Sequence, residues 1–263
     1  MDTDYMTEFY AKMHGTGNNF VIINARLTGI LNWDYKKIAK LNGCDQVIVI
    51  DNSNVADCFM HVYNADGSKV AICGNAARCV GYLIMSEKNI EYVTIELMNK
   101  CILECFKIYD KFIKVRMGKP LLQWHEIPLS VKSDTLHLPI ELGILKNPSA
   151  VNVGNPHMVF FVDDIDEVPL QNLAPQLENH TMFPEKANVS VAQIEESGEI
   201  SMKVWERGVG ITASCGSAAC ATFVASILCG YIIAQKNIIN FPGGKLLAEW
   251  VDDVFITGNV EFM

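Results

Sequence analysis

Between Val204 and Leu228 the chain reads V-W-E-R-G-V-G-I-T-A-S-C-G-S-A-A-C-A-T-F-V-A-S-I-L. An apolar, strand-like start runs into the charged pair Glu206-Arg207. A flexible G-V-G and then Ser214-Cys215-Gly216-Ser217 lead into a long run of small and apolar residues. The pattern predicts strand, tight turn and helix N-terminus, with Ser and Gly suited to capping. Cys215 would then sit where free backbone N–H groups and the positive end of the helix dipole point. That position favours a thiolate and can hold a carboxylate. A lone cysteine there could equally be a buried small hydrophobe.

The motif occurs twice. Ile72-Cys73-Gly74-Asn75-Ala76-Ala77-Arg78-Cys79 resembles the Cys215 turn, 142 residues earlier (215 − 73). The same offset pairs Val62-Tyr63-Asn64 with Val204-Trp205-Glu206, and Gln46-Val47 with Asn188-Val189. Gly17-Asn18 matches Gly154-Asn155 at an offset of 137 (155 − 18). Matches in one order along two halves indicate an internal duplication. Two cysteine turns in pseudo-symmetric halves would face each other across a cleft between domains.

The 263 residues leave room for two domains. We place the boundary at Met117-Gly118-Lys119-Pro120, giving domains 1–118 and 119–263, with the final strand returning to the first. The four prolines between Lys119 and Pro148 mark the weakest periodicity. With 21 basic and 30 acidic residues and no basic stripe, nucleic acid is not an expected partner. Nine cysteines, an odd number without a signal peptide, point to a reducing cytoplasm. Cys101 and Cys105 lack a second His/Cys pair, so they read as strand-core residues and no metal is expected. Val209–Ala234 carries no charge, but its early Gly and Ser positions suit a buried central helix better than a membrane span. Met1 to Thr7 reads as a loose leader. Strands are expected at Phe9–Met13, Phe20–Asn24, Val47–Ile50 and Val55–Tyr63, and a helix over Ala76–Met85. Arg78 on that helix reads as a surface or interdomain ion-pair residue, and Asp163–Glu167 as a solvated loop.

Two facing thiols can act as base and acid. One removes a proton from a stereogenic carbon and the other returns one from the opposite side, with no cofactor. The turns Gly74-Asn75 and Gly216-Ser217 offer donors for an α-carboxylate. Asn18, Gln46, Asn64, Asn155 and Asn188 form a polar clamp. Arg207 offers a fork for a second, distal carboxylate. Glu206 and His157 would orient an ammonium or tune the thiols.

The segments M-H-G-T-G-N-N-F, N-A-D-G-S, C-G-N-A-A-R-C, G-N-P-H, F-P-E-K-A-N-V, E-R-G-V-G and C-G-S-A-A-C resemble, in order, the motifs of the diaminopimelate epimerase family. The resemblance implies cofactor-independent conversion of LL- to meso-diaminopimelate, in lysine and peptidoglycan-precursor synthesis. It implies an α+β fold of two similar domains, each a mostly antiparallel β-sheet curled around a central helix, and a homodimer whose contact lies partly near the C-terminus. Cys73 and Cys215 match the acid–base pair, and His157 and Glu206 the residues assisting it. Asn18, Gln46, Asn64, Gly74, Asn75, Asn155, Asn188, Glu206, Arg207, Gly216 and Ser217 match substrate-binding positions. The chain departs from the family pattern at Asn19 (usually Asp), Ala76 and Ala218 (usually Gly), Ile211 (usually Glu) and Cys44 (usually aromatic). Other readings are a racemase of another amino acid on this scaffold, a redox protein using Cys73/Cys79 or Cys215/Cys220, and a catalytically dead binding homologue.

Overall fold

The computed structural model describes residues 10–26, 28–29 and 32–263. The expected leader and Phe9 lie outside them. The chain divides into two compact units. The first runs to Arg116 and takes back Thr257–Met263, and the second is Met117–Ile256.

In the first unit β1 (Tyr10–Gly15) and β2 (Asn18–Asn24) form a hairpin, with Gly15 opposite Asn18. The two turn residues, Thr16 and Gly17, have φ of 55° and 77°. Both angles are positive, as the right-handed twist of a two-residue hairpin requires. Helix α1 (Tyr35–Asn42) crosses to β3 (Gln46–Asp51), which runs parallel to β2. β4 (Cys58–Asn64) pairs antiparallel with β3 and with the short β5 (Lys69–Val70). Helix α2 (Gly74–Lys88) returns the chain to β6 (Tyr92–Leu97), parallel to β4, and β7 (Ile102–Tyr109) and β8 (Phe112–Gly118) complete a meander.

The second unit repeats this order. After the small hairpin β9 (Glu141–Leu142) and β10 (Leu145–Lys146), β11 (Ser149–Asn152) and β12 (Pro156–Phe161) form the hairpin. Helix α3 (Leu170–Glu178) crosses to β13 (Asn188–Ile194), parallel to β12. β14 (Ile200–Glu206) pairs antiparallel with β13 and with β15 (Gly210–Thr212). Helix α4 (Gly216–Leu228) leads to β16 (Lys236–Phe241), parallel to β14, then to β17 (Gly244–Trp250). The expected duplication is therefore present in the topology. β18 (Val254–Asn259) and β19 (Glu261–Phe262) end the chain. β19 pairs with β1, and Val260 N–H donates to Lys111 O in the β7–β8 turn. The C-terminal residues thus touch both the β1–β2 hairpin and the β7–β8 turn of the first unit.

Each sheet wraps its own helix. Every residue of α2 from Gly74 to Gly81 is buried, and every residue of α4 from Gly216 to Ser226. A helix without a polar face must be enclosed on all sides. On the outer face of the first sheet, Val21, Val47 and Val49 pack with Ala39, Tyr35 and Ile38 of α1. In the second, Met158, Phe160, Val189 and Val191 pack with Ala174 and Leu177 of α3. Strands buried on both faces lose the polar alternation that marks a half-exposed strand.

Four expectations change. β4 begins at Cys58 rather than Val55, because Val55 is 66% exposed in a loop held by Ser53 Oγ. Helix α3 was not anticipated, since Pro175 lies inside it. Cys101 is exposed before β7, whereas Cys105 is core. Arg78 is 0% exposed, not a surface residue.

α2 packs closely on β7. A methyl at Gly81 would lie 2.8 Å from Cys105 Cβ and 3.1 Å from its Sγ. Alanine is the better helix former by about 1 kcal/mol, but overlap with a packed strand costs about 1–3 kcal/mol. Gly81→Ala is expected to lower the urea midpoint, and Cys105→Gly in that background to recover part of it.

Candidate active site

Both central helices begin with a cysteine as the N-cap residue. Cys73 has φ −144° and ψ 106°, and Cys215 has φ −143° and ψ 119°. This extended backbone directs each side chain at the first turn, where N–H groups have no intrahelical acceptor.

The two thiols are wired differently. Cys73 Sγ accepts the backbone N–H of Ala76 at 3.4 Å and lies 3.9 Å from Asn18 Oδ1. Cys215 makes no capping bond. Its Sγ donates to Glu206 Oε2 at 3.3 Å and lies 3.4 Å from Ser217 Oγ. The other Glu206 oxygen accepts from Thr212 Oγ1 at 2.6 Å, across the β14–β15 hairpin. The buried cysteines away from these turns differ again. Burial pushes the Cys58 and Cys79 thiols up to about 12 and that of Cys105 higher still, so they stay protonated. The fully buried, protonated Cys79 is a poor partner for the redox reading.

In the first unit the expected residues gather at one end of the sheet. Asn18 Nδ2 donates to Asp45 Oδ2 at 3.0 Å, and Asn19 N–H to the same oxygen at 2.8 Å. Gln46 Nε2 donates to Asn64 Oδ1 at 3.0 Å, and Asn64 Nδ2 to Ser68 Oγ at 3.2 Å. Arg78 lies behind the turn, with Nη2 3.1 Å from Thr16 Oγ1 and 2.8 Å from Asn75 Oδ1. It joins the hairpin turn to the helix start.

In the second unit His157, Asn155, Asn188 and Arg207 form one connected set. His157 is fully buried, its Nε2 2.9 Å from Asn155 Oδ1 and 3.4 Å from Asn188 Nδ2. Asn188 Oδ1 accepts the Arg207 N–H at 2.8 Å, and Arg207 Nη1 donates to Glu185 O at 2.5 Å. Burial, and secondarily the Arg207 guanidinium, pushes the His157 pKa down to about 3. The ring is therefore neutral at neutral pH. The contact with Asn155 fits the Nε2–H tautomer.

Sequence reasoning missed three supports. Asp45 orients Asn18, and Thr212 orients Glu206. Asp45 stands directly before Gln46, and Thr212 lies in the Val204–Leu228 stretch, where the hairpin register that sets Val204 opposite Thr212 is the signal. Glu178 lies outside every motif. Among the departures, Ala76 supplies the N–H that reaches Cys73, and Ile211 is exposed on β15.

The sequence profile of the family described as diaminopimelate epimerase matches residues 10–122 and 149–263. The chain belongs to the diaminopimelate epimerase family. A diaminopimelate epimerase of Wolbachia sp. subsp. Drosophila simulans is 68% identical over 257 residues, covering 98% of each chain. One from Rhizorhabdus wittichii is 40% identical over 247 residues, covering 92% of this chain and 87% of its own. Among solved structures, a hydroxyproline epimerase from Agrobacterium vitis with bound trans-4-hydroxy-L-proline superposes with a TM-score of 0.68. It is 11% identical and covers 97% of this chain and 90% of its own, a likeness of fold. Family members are isomerases. Among the described residues no helix is long and apolar enough to cross a membrane.

Two outcomes follow from this geometry. A methyl at Gly15 would meet Asn75 O at 3.0 Å and Arg78 Nη2 at 3.1 Å. Gly15→Ala should therefore displace the first turn of α2 and slow turnover by about tenfold or more, as small misplacements of reacting groups do. For His157, the folded pKa is about 3 against about 6.5 in the unfolded chain. Its contribution to stability is complete above about pH 6.5 and is lost as pH falls toward 3, at about 1.4 kcal/mol per pH unit. Unfolding curves of wild type minus His157→Gln, measured from pH 8 to 4, should show that slope only below about 6.5.

Proposed function

We propose that the protein interconverts LL- and meso-diaminopimelate in the cytoplasm without a cofactor, by a two-base mechanism using Cys73 and Cys215. The observation that carries this reading is the repeated placement of a cysteine as N-cap of each central helix, joined to the polar residues the family motif supplies. Cys73 takes the Ala76 N–H and makes a longer, 3.9 Å donation to Asn18 Oδ1, whereas Cys215 donates to the Glu206 carboxylate; the shorter contacts set the two sulfurs apart. An N–H donated to Cys73 stabilises a thiolate there. A carboxylate accepting from Cys215 keeps the proton on that sulfur. Cys73 then acts as base toward one face of the α-carbon. Its C–H electron pair is delocalised into the α-carboxylate, and Cys215 delivers its proton to the other face. The turnover leaves Cys73 as thiol and Cys215 as thiolate, the arrangement needed for the reverse direction.

Carbanion formation requires a firmly held carboxylate. Gly74-Asn75 and Gly216-Ser217 are the candidates, through their helix-start N–H groups. Asn18, Gln46, Asn64, Asn155 and Asn188 orient the remaining polar atoms. Arg207 takes the distal carboxylate. This requirement for a second carboxylate favours diaminopimelate over proline-like substrates. Glu206 serves as the acceptor that orients Cys215. We assign His157 to positioning Asn155 through Nε2–H, since a ring that stays neutral down to about pH 3 is too weak a base to take up a proton near neutrality. The working form is a homodimer in this reading, to be checked by light scattering.

The test is made on reduced protein in deuterated water with LL-diaminopimelate. Wild type is expected to place deuterium at the α-carbon and form the meso isomer. Cys73→Ala and Cys215→Ala should each lose at least about 100-fold to 10,000-fold, the range for a positioned acid or base, while keeping a folded circular-dichroism spectrum. Wild type without exchange, or a Cys73→Ala variant at wild-type rate, would sink the mechanism.

A further inference from the structure

Glu178, the last residue of α3, is a buried carboxylate that belongs to none of the sequence motifs of the site. Its Oε2 accepts from Trp205 Nε1 at 2.7 Å. Its Oε1 accepts from the Gly208 backbone N–H at 3.3 Å and lies 3.6 Å from Lys186 Nζ. Its own carbonyl accepts from Ala187 N–H at 3.3 Å. One side chain therefore grips both residues that flank Glu206-Arg207 and ties the same turn to the segment before Asn188.

Burying a carboxylate is costly, and an apolar residue of similar volume is often as good or better for stability. The particular value of an ionised group here is that it can accept from two N–H donors at once, one on each side of the turn. Arg207 is exposed and long. Its guanidinium must present its fork at a defined angle to pair with a carboxylate. The turn beneath it contains Gly208 at φ 74° and Gly210 at φ 111°, residues that would otherwise leave the loop free to adopt many shapes. The backbone of Arg207 is fixed from one side by Asn188 Oδ1, and its tip by Glu185 O. The Glu178 bond to Gly208 fixes the other side.

We infer that Glu178 is a positioning residue for substrate specificity: it sets the direction of Arg207 and so the capture of the distal carboxylate. The inference rests on the epimerase reading above and adds a residue to it. It distinguishes Glu178 from groups that touch the reacting carbon, because its loss should weaken binding of the far end of the substrate and spare the chemistry.

The experiment is steady-state kinetics of the full chain with Glu178→Ala, Glu178→Gln, Trp205→Phe, Arg207→Ala and the double variant Glu178→Ala/Arg207→Ala. Glu178→Ala should raise KM for diaminopimelate about tenfold with kcat within about twofold, the signature of lost binding common to ground and transition states. Glu178→Gln and Trp205→Phe, which each remove one of the bonds, should raise KM about threefold. In the Arg207→Ala background, Glu178→Ala should add less than about twofold, because the two residues act through one contact. Lysine, which lacks the distal carboxylate, serves as a second probe. Its α-proton exchange rate should be the same in wild type and Glu178→Ala. A fall in kcat with KM unchanged, or full multiplication of the two single effects, would overturn the positioning role. If Glu178→Ala does not fold, the Gln and Phe variants decide the matter by the same KM criterion. An active wild type with a Glu178 series at wild-type KM removes this inference alone, whereas an inactive wild type removes the epimerase reading with it.

Discussion

A helix with no polar side has to be surrounded, and that requirement organises each unit of this protein. α4 carries no charged residue and α2 is buried through its first two turns. Side-chain burial leaves such helices no contact with solvent except at their ends. The end that matters is the first turn, whose N–H groups cannot be satisfied within the helix. Whatever stands at the N-cap inherits a polar, positively polarised spot inside an otherwise apolar unit. In both units that residue is a cysteine. The sheet that encloses the helix also delivers its own polar residues to that spot, because strands β2, β3 and β4, and again β12, β13 and β14, share one end.

The repetition is of topology more than of chemistry. The first unit gives its sulfur a backbone donor, and the second gives its sulfur a carboxylate acceptor. Duplication supplies two thiols in equivalent places, and later divergence around them makes the two unlike. The divergence is visible in matched positions: Asn64 in one half is Glu206 in the other, and Gln46 is Asn188. Such differences place unlike neighbours beside the two sulfurs without changing the strand order.

Much of this was legible in the chain. Cys73 and Cys215 stand at helix starts because Gly and Ser or Asn follow them and small residues follow those, a local signal that the tertiary structure does not override. The asparagine set was found through its repeat partners, since a lone Asn in a turn says little. What was not legible depended on distance. Arg78 reads as exposed because arginine usually is, and only the fold brings Thr16 beside it and sets it against the space that Gly15, having no side chain, leaves open. Pro175 masks the helix because, as its sixth residue, it removes the N–H that would donate to the Gln171 carbonyl. Val55 has the right composition for β4 but no partner strand reaches it. Glu178 carries no signal because its role is set by Trp205 and Gly208, which are remote in sequence and become its neighbours only when α3 lies against β14.

The final strand carries a consequence for synthesis of the chain. β19 pairs with β1, so Met13 meets Phe262 only after the whole of the second unit has been made. The second unit is continuous in sequence and can complete its core as it leaves the ribosome. The first emerges earlier and must wait, with the β1 edge unpaired, until β19 has been made. Open strand edges of this kind invite pairing with other chains. The order of translation and the order of completion are thus reversed, and the interval between them is the period in which a nascent first unit is exposed to chaperones and to aggregation.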